Sequence, residues 1–430
     1  MYMKMKNKDY FINLLKSEVV PALGCTEPIA VALASSRACK ELNLSPEKIK
    51  VYVSANILKN GMGVGIPGTG MVGLDIAAAL GAIGGNSDAM LEVLKDITQE
   101  DIENAKNFLK EDRVYVTTKD VPNKLYIEVN VSNGEHSSTV IIKDKHSNIV
   151  YIDKDGVCTY KNEEEENTTV VEDANAYEHT TVEEIYNFAM NADFKDIEFI
   201  LEGARMNKAI SQEGLKNNYG LKVGKTLLEK IDKGILSNDL QSYSMALTAA
   251  ASDARMAGCM LPVMSNSGSG NQGITVMMPV VAVAEKLNVE NEKLARALVL
   301  ANLIAIHIKS YLGRLSALCG CVVASSGASC GITYLLGGNL ANVNSAIKNM
   351  AGNIAGMICD GAKTGCALKV STGVSSAIQS ALLALDGIEI SEKDGIIDKD
   401  VEKTIQNVAE IGAKGMAETD KLILNIMVCK

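Results

Sequence analysis

The stretch LSALCGCVVASSGASCGITYLLGGNLANVNSAI, residues 315–347, runs for 33 residues without a charged side chain. A helix that spans a membrane needs ~20 predominantly apolar residues, whereas this stretch carries Ser325, Ser326, Ser329, Asn339 and Asn342 among its apolar runs. Polar groups facing lipid are costly, so the pattern reads as buried protein interior around a polar site. Residues 256–284 repeat it, uncharged throughout, with Ser265, Asn266, Ser267, Asn271 and Gln272 in their middle. Beyond residue 180 the apolar spacing is helical, punctuated by Gly/Ser/Asn clusters at 265–273, 325–331 and 337–345, and no alternating pattern of comparable strength interrupts it. The second half is therefore expected to be mostly helical. Its polar clusters should sit at helix ends that meet in the centre, where backbone N–H groups at helix N-termini favour anions such as carboxylates.

Towards the N-terminus the character changes. Helical spacing covers residues 8–20 and 26–42, the second run with Thr26 as N-cap, and again residues 71–83, 88–96 and 99–111. Alternation at 50–57, 113–118, 124–131, 138–143 and 148–153 predicts strands. The fold class is thus an α+β N-terminal domain, residues 1–190, followed by a mostly α-helical catalytic domain, residues 191–430. An acidic, Thr-rich stretch around 163–166 reads as a solvated boundary.

The chain's 430 residues are enough for two or three units with buried cores. With 42 Lys and Arg against 52 Asp and Glu, the net charge of −10 argues against a cationic face, so no nucleic acid and no anionic membrane is expected as a partner. No secretory signal opens the sequence, which makes a cytoplasmic location the expectation and disulfides among the ten cysteines improbable there. The absence of Trp and the presence of 36 Gly suit closely packed helices.

Two formal motifs lead elsewhere. Gly63, Gly65 and Gly68 spell GxGxxG after a predicted strand, but Pro67 inside the turn and the antiparallel character of the later strands fit a dinucleotide fold badly. The loop from Gly61 to Gly70 keeps interest as backbone that can approach a small ligand. Ser45 to Lys48 and Lys363 to Gly365 spell SxxK and KTG, and Ser-Asn-Ser at Ser265 to Ser267 lies between them as a loose counterpart of SxN, together suggesting a serine acyl-transfer enzyme of the penicillin-binding class. Ser45 reads more naturally as a helix N-cap with Pro46 at the first helical position. Only His307 of the four histidines lies in the apolar half, so a polyhistidine metal site is not expected.

Cysteine is more informative. Cys319, Cys321, Cys330, Cys359 and Cys366 lie within 48 residues, with Cys259 upstream. Thiolates are soft ligands suited to iron–sulfur clusters, zinc or copper(I). The lack of a CxxC pair excludes a zinc ribbon or ferredoxin pattern, so a metal site here would need a pocket assembled by tertiary structure, and small buried cysteines between helices are the competing reading.

Four motifs in order, GCTEP at 24–28, SNSGSGNQ at 265–272, GRLSALCGC at 313–321 and MICDGAK at 357–363, resemble the L-cysteine desulfidase family, which is similar to the iron–sulfur L-serine dehydratases. The resemblance covers essentially the whole chain. It implies a carbon–sulfur lyase that converts L-cysteine to hydrogen sulfide, ammonia and pyruvate by non-redox elimination on a 4Fe-4S cluster, with L-serine dehydration as the alternative. The implied ligands are Cys319, Cys359 and Cys366, with one iron left open, and the implied base is Cys25. Ahead of a helix, the Cys25 thiol is expected to be lowered. Ser265, Asn266, Ser267, Gly268 and Asn271, together with Gly68 and Thr69 of the glycine loop, are the implied substrate contacts, with Lys309 and Arg314 as cationic helpers. Cys429 resembles a terminal cluster-capping cysteine, although Lys430 follows it. The expected partner is a small-molecule amino acid, with self-association left open.

Overall fold

In a computed structural model of the chain, residues 8–162, 180–313 and 316–429 are described. The acidic stretch at 163–166, His179 and Arg314 lie outside them. In chain order the elements begin with α1 (Lys8–Glu18), β1 (Pro21–Ala22), α2 (Thr26–Leu42), β2 (Lys48–Val53), α3 (Ala55–Gly61), α4 (Leu74–Gly84) and α5 (Gln99–Lys110). Strands β3 (Val114–Thr118), β4 (Tyr126–Asn133), β5 (His136–Lys143), β6 (Ile149–Lys154) and β7 (Val157–Lys161) follow. The remainder comprises α6 (Val182–Asn191), α7 (Phe194–Ile197), α8 (Ile200–Lys216), α9 (Val223–Asp232), α10 (Leu240–Met256), β8 (Val263–Met264), α11 (Gly270–Lys286) and α12 (Asn291–Leu312). It ends with α13 (Gly320–Leu335), α14 (Leu340–Ile354), α15 (Cys366–Leu385), α16 (Val401–Glu410) and α17 (Ala417–Val428). The expected α+β region followed by a mostly helical part is what forms.

A six-stranded sheet of order β3-β2-β4-β5-β6-β7 is antiparallel except for the β2–β3 pair. Its alternating Ile49, Val51, Val53 and Ile127, Val129, Val131 face one core with α2 and α4. Those two helices approach closely because Gly81 carries no side chain, and a Cβ there would overlap the Ala32 backbone. The strand expected at 50–57 ends at Val53, because Ser54 opens α3. Ser45 caps no helix: Asn43 adopts φ 58° and turns the chain directly into β2. The expected helix at 88–96 is instead a short 3-10 segment, Ser87–Glu92, broken by the positive φ of Met90.

The second core is built by α6, α8 and the long helices α11 to α16, with Phe11, Leu15 and Val19 of α1 packed into it. Helix α13 nests against α12 through Gly327 and Gly331, whose positions leave no room for a Cβ against Ala301 and Ala297. Residues 316–347 of the uncharged stretch thus become a short connection, the largely buried α13 and the start of α14. Helices α12 and α15 are long and apolar enough to cross a membrane by length and composition, and more than half of each is buried inside the protein. The two halves are stitched by the β1–β8 pair, Pro21 opposite Met264 and Ala22 opposite Val263, which carries the chain before α2 onto the helical body.

Candidate active site

Four helix N-termini open onto one cleft of ≈ 2070 Å³ between the sheet hairpins and the helical body. Cys25 caps α2, Ser269 caps α11, Cys319 caps α13, and Cys366 is the first residue of α15. All four line the cleft, as do Cys321 and Cys359. Each N-terminus contributes roughly half a positive charge and unpaired N–H groups. With Lys309, Lys369 and Arg255 also lining it, the cleft favours anions.

Cys319 and Cys359, with 39 residues between them in sequence, meet because Leu318 and Ile358 form an antiparallel bridge. Cys319 N donates to Met357 O at 3.0 Å and Cys359 N to Ala317 O at 2.6 Å. The two thiols share a hydrogen bond that makes them an acid–base pair. The bond from Cys319 pushes Cys359 down to about 6 against its burial, with Lys59, the Gly361 N–H and Lys369 assisting, while the same bond and burial raise Cys319 well above the ordinary thiol value. Cys366 sits near both Cys359 and Cys25, and burial raises it. Cys321 donates to Lys369 O at 3.1 Å and is pushed up to about 12 by burial. Cys330 is wholly enclosed in α13 and donates to Ser326 O, so it stands apart from the cleft. Cys429 is exposed and does not line the cleft.

Cys25 is 3% exposed. The expectation that its helix position would lower the thiol is overturned, because burial dominates and pushes it up to about 12, with Arg255 opposing and Glu27 and Cys366 adding to the rise. Val64, Met256, Ala362 and Cys366 withhold the hydration that a thiolate needs, and Arg255 offsets only part of that loss.

The SNSGSGNQ segment divides by function. Ser267, Gly268 and Asn271 line the cleft. Ser265 and Asn266 do not: Ser265 donates to Val20 O at 2.6 Å, and Asn266 is saturated by Asn302, Ser267 and Gln272. They hold the turn, which Ser267 and Gly268 make with φ 49° and 77°. Gly68 and Thr69 also lie outside the cleft. Gly65 N and Gly68 N donate to Met256 O and Gly258 O, and Thr69 folds back on Ile66 O, so this loop braces the end of α10 and faces a separate shallow cavity. The glycine loop follows α3 and not a strand, which removes the dinucleotide geometry. Ser45 is exposed ahead of β2 and does not line the cleft, so the acyl-transfer set is not assembled there. His307 is paired with Glu402 at 2.7 Å across α12 and α16.

Arg255 and Lys369 line the cleft without having been singled out in sequence, and Gln272, the last residue of the SNSGSGNQ motif, lines it with them. The signal for Arg255 was a guanidinium at the end of a run of small residues, ALTAAASDARM.

A sequence profile described as serine dehydratase alpha chain matches residues 88–425. The chain belongs to that family. It is also 51% identical over 425 residues to a UPF0597 protein of Oleidesulfovibrio alaskensis, covering 98% of both chains, and 51% identical over 420 residues to UPF0597 protein PBPRB0240 of Photobacterium profundum, again covering 98% of both. A UPF0597 protein of Bacteroides thetaiotaomicron is 50% identical over 420 residues, 97% of each chain. The family is typically associated with iron–sulfur clusters. Among the described residues no group of three or more His, Cys, Asp or Glu closes around a single point as one metal ion requires. A cluster asks for something different, since each thiolate binds its own iron and the sulfurs stand apart by the cluster's width. Three cysteines lining one cleft, one of them held towards thiolate amid helix N-termini and cations, suit a cluster in donor type and charge.

Proposed function

We propose that the chain is a lyase that eliminates the β-substituent of a small L-amino acid, with L-cysteine as substrate and sulfide, ammonia and pyruvate as products. The reading is carried by one observation: Cys25 and the three separated cysteines Cys319, Cys359 and Cys366 line a single anion-favouring cleft. Cys319, Cys359 and Cys366 would hold a 4Fe-4S cluster. When bound, it supplies an open iron as Lewis acid for the charge that develops on the leaving sulfur.

The chain's own part is binding, orientation and proton handling. Ser267, Gly268 and Asn271, at the N-terminus of α11, present hydrogen-bonding groups to the amino acid. The Cys25 sulfur stands where an α-proton can be taken. Burial keeps it protonated in the free protein, and Arg255 is the feature that favours the thiolate. Loss of Hα and sulfide leaves aminoacrylate, which tautomerises to the imine and takes up water to give ammonia and pyruvate. Hydrolysis of the imine needs no protein group.

L-Serine dehydration is the second reading, favoured by the profile match to the serine dehydratase alpha chain. The test is a pair of variants purified anaerobically. Cys25→Ala should keep about four irons per chain while losing ammonia release, and Cys359→Ser should lose the iron. Undiminished activity in the first, or unchanged iron in the second, would remove the corresponding role.

A further inference from the structure

The guanidinium of Arg255, in the last turn of α10, is 6% exposed and yet lines the cleft. Nη2 donates to Gly24 O at 3.0 Å, its charge opposes the burial that keeps the neighbouring Cys25 thiol protonated, and Nε has no acceptor. Among the described residues no carboxylate forms an ion pair with it. A guanidinium stays charged and offers five donors in a rigid fork, and a buried cation without a counter-charge is costly. The fold keeps it nevertheless. Gly270, the first residue of α11, makes the room: a Cβ there would overlap Nε and stand 2.7 Å from Cζ. Two elements are thus shaped around a cation whose counter-charge the described chain does not supply.

We propose that Arg255 anchors the α-carboxylate of the amino-acid substrate, an inference that rests on the amino-acid lyase reading above. Covalent structure limits where such an anchor can be. Cα is bonded directly to the carboxylate carbon, so the group that grips the carboxylate must adjoin the group that handles the α-proton. Arg255 holds the carbonyl of Gly24, the residue before Cys25, and its charge acts on that thiol. A carboxylate on its fork places Hα beside that sulfur and leaves the β-substituent to extend towards Cys319, Cys359 and Cys366. Asn271, which lines the same wall and donates to the Met256 sulfur at 3.2 Å, bounds the anchor on the α11 side.

The test separates this anchor from the reaction by using an amino acid with no leaving group. Binding of L-alanine and of L-alaninamide, which differ in the carboxylate alone, is measured by calorimetry on the cluster-loaded full chain and its variants. The native chain should prefer L-alanine, and Arg255→Gln should weaken L-alanine on the order of 10- to 100-fold while leaving alaninamide unchanged. Arg255→Lys keeps the charge without the fork and should recover part of the preference. Gly270→Ala, which keeps the arginine and displaces its guanidinium, should lose the preference as Arg255→Gln does. An unaltered preference in Arg255→Gln and Gly270→Ala, or no preference in the native chain, would overturn the anchor. Failure of the lyase reading looks different: no ammonia from either L-cysteine or L-serine, whatever the alanine data show.

Discussion

The ion pair of Lys59 in α3 with Asp420 in α17 ties the last helix to α3, and its two ends are buried unequally. The Lys59 side chain is 2% exposed and that of Asp420 23%. The second Asp420 oxygen accepts from Asn56 Nδ2 at 2.8 Å. Asp420→Ala therefore strands a buried ammonium and should cost about 3–5 kcal/mol, the scale for breaking a buried pair from one side. Lys59→Met strands a carboxylate that water already reaches and that keeps its Asn56 bond, so about 1–2 kcal/mol is expected. Replacing both partners, Lys59→Met with Asp420→Leu, should return stability to within about 1 kcal/mol of the native chain. Urea unfolding of the cluster-free protein, with hydrogen exchange of α17 as the local probe, measures all three. The double variant also separates stability from chemistry. Lys59 is one of the cations that hold Cys359 down, so alkylation of Cys359 at neutral pH should slow in a protein that is otherwise intact. A cost for Asp420→Ala no larger than that for Lys59→Met would refute the reasoning from unequal burial.

Two glycines of one loop should respond for opposite reasons. A Cβ on Gly65 would meet the backbone of Ala257 and Gly258 at 2.5 and 2.7 Å, whereas Gly70, at φ 69°, has nothing within 4 Å. Gly65→Ala should thus cost about 2–4 kcal/mol from overpacking and a disturbed Met256 hydrogen bond, against about 1–2 kcal/mol of backbone strain for Gly70→Ala, with chemical denaturation as the readout. In the cluster-free chain two thiols should bend stability with pH in opposite senses. Cys359, down from 9.0 to about 6, contributes stability that is complete above pH 9 and is lost as pH falls towards 6, so the native-minus-Cys359→Ser difference should grow from pH 6 to 9. Cys25, up from 9.0 to about 12, contributes fully below pH 9 and loses that contribution as pH rises towards 12, a decline that Cys25→Ala should flatten.

Local pattern carried much of the fold. The helix expected at 26–42 forms at Thr26–Leu42, and the strands at 113–118 and 138–143 shift by a residue or two. Strand β7 escaped notice because all five of its residues are exposed, leaving no alternation to read. The site was less legible, and the reasons are tertiary. That Cys25 and the cysteines of the second half share a cleft depends on the β1–β8 pair and the Leu318–Ile358 bridge, each linking segments far apart in sequence. Gly68 and Thr69 carry the composition of a ligand loop, yet whether such a loop meets a ligand or braces a helix depends on what packs against it, here Gly258. Burial likewise reverses the shift that helix position alone suggested for Cys25.

The most direct test of the account is anaerobic incubation of the cluster-loaded chain with L-cysteine, with L-serine in parallel, following sulfide, ammonia and pyruvate together. The account predicts the three products in equal amounts from L-cysteine and a slower reaction with L-serine. Release of sulfide without pyruvate, or no product from either amino acid, would contradict it.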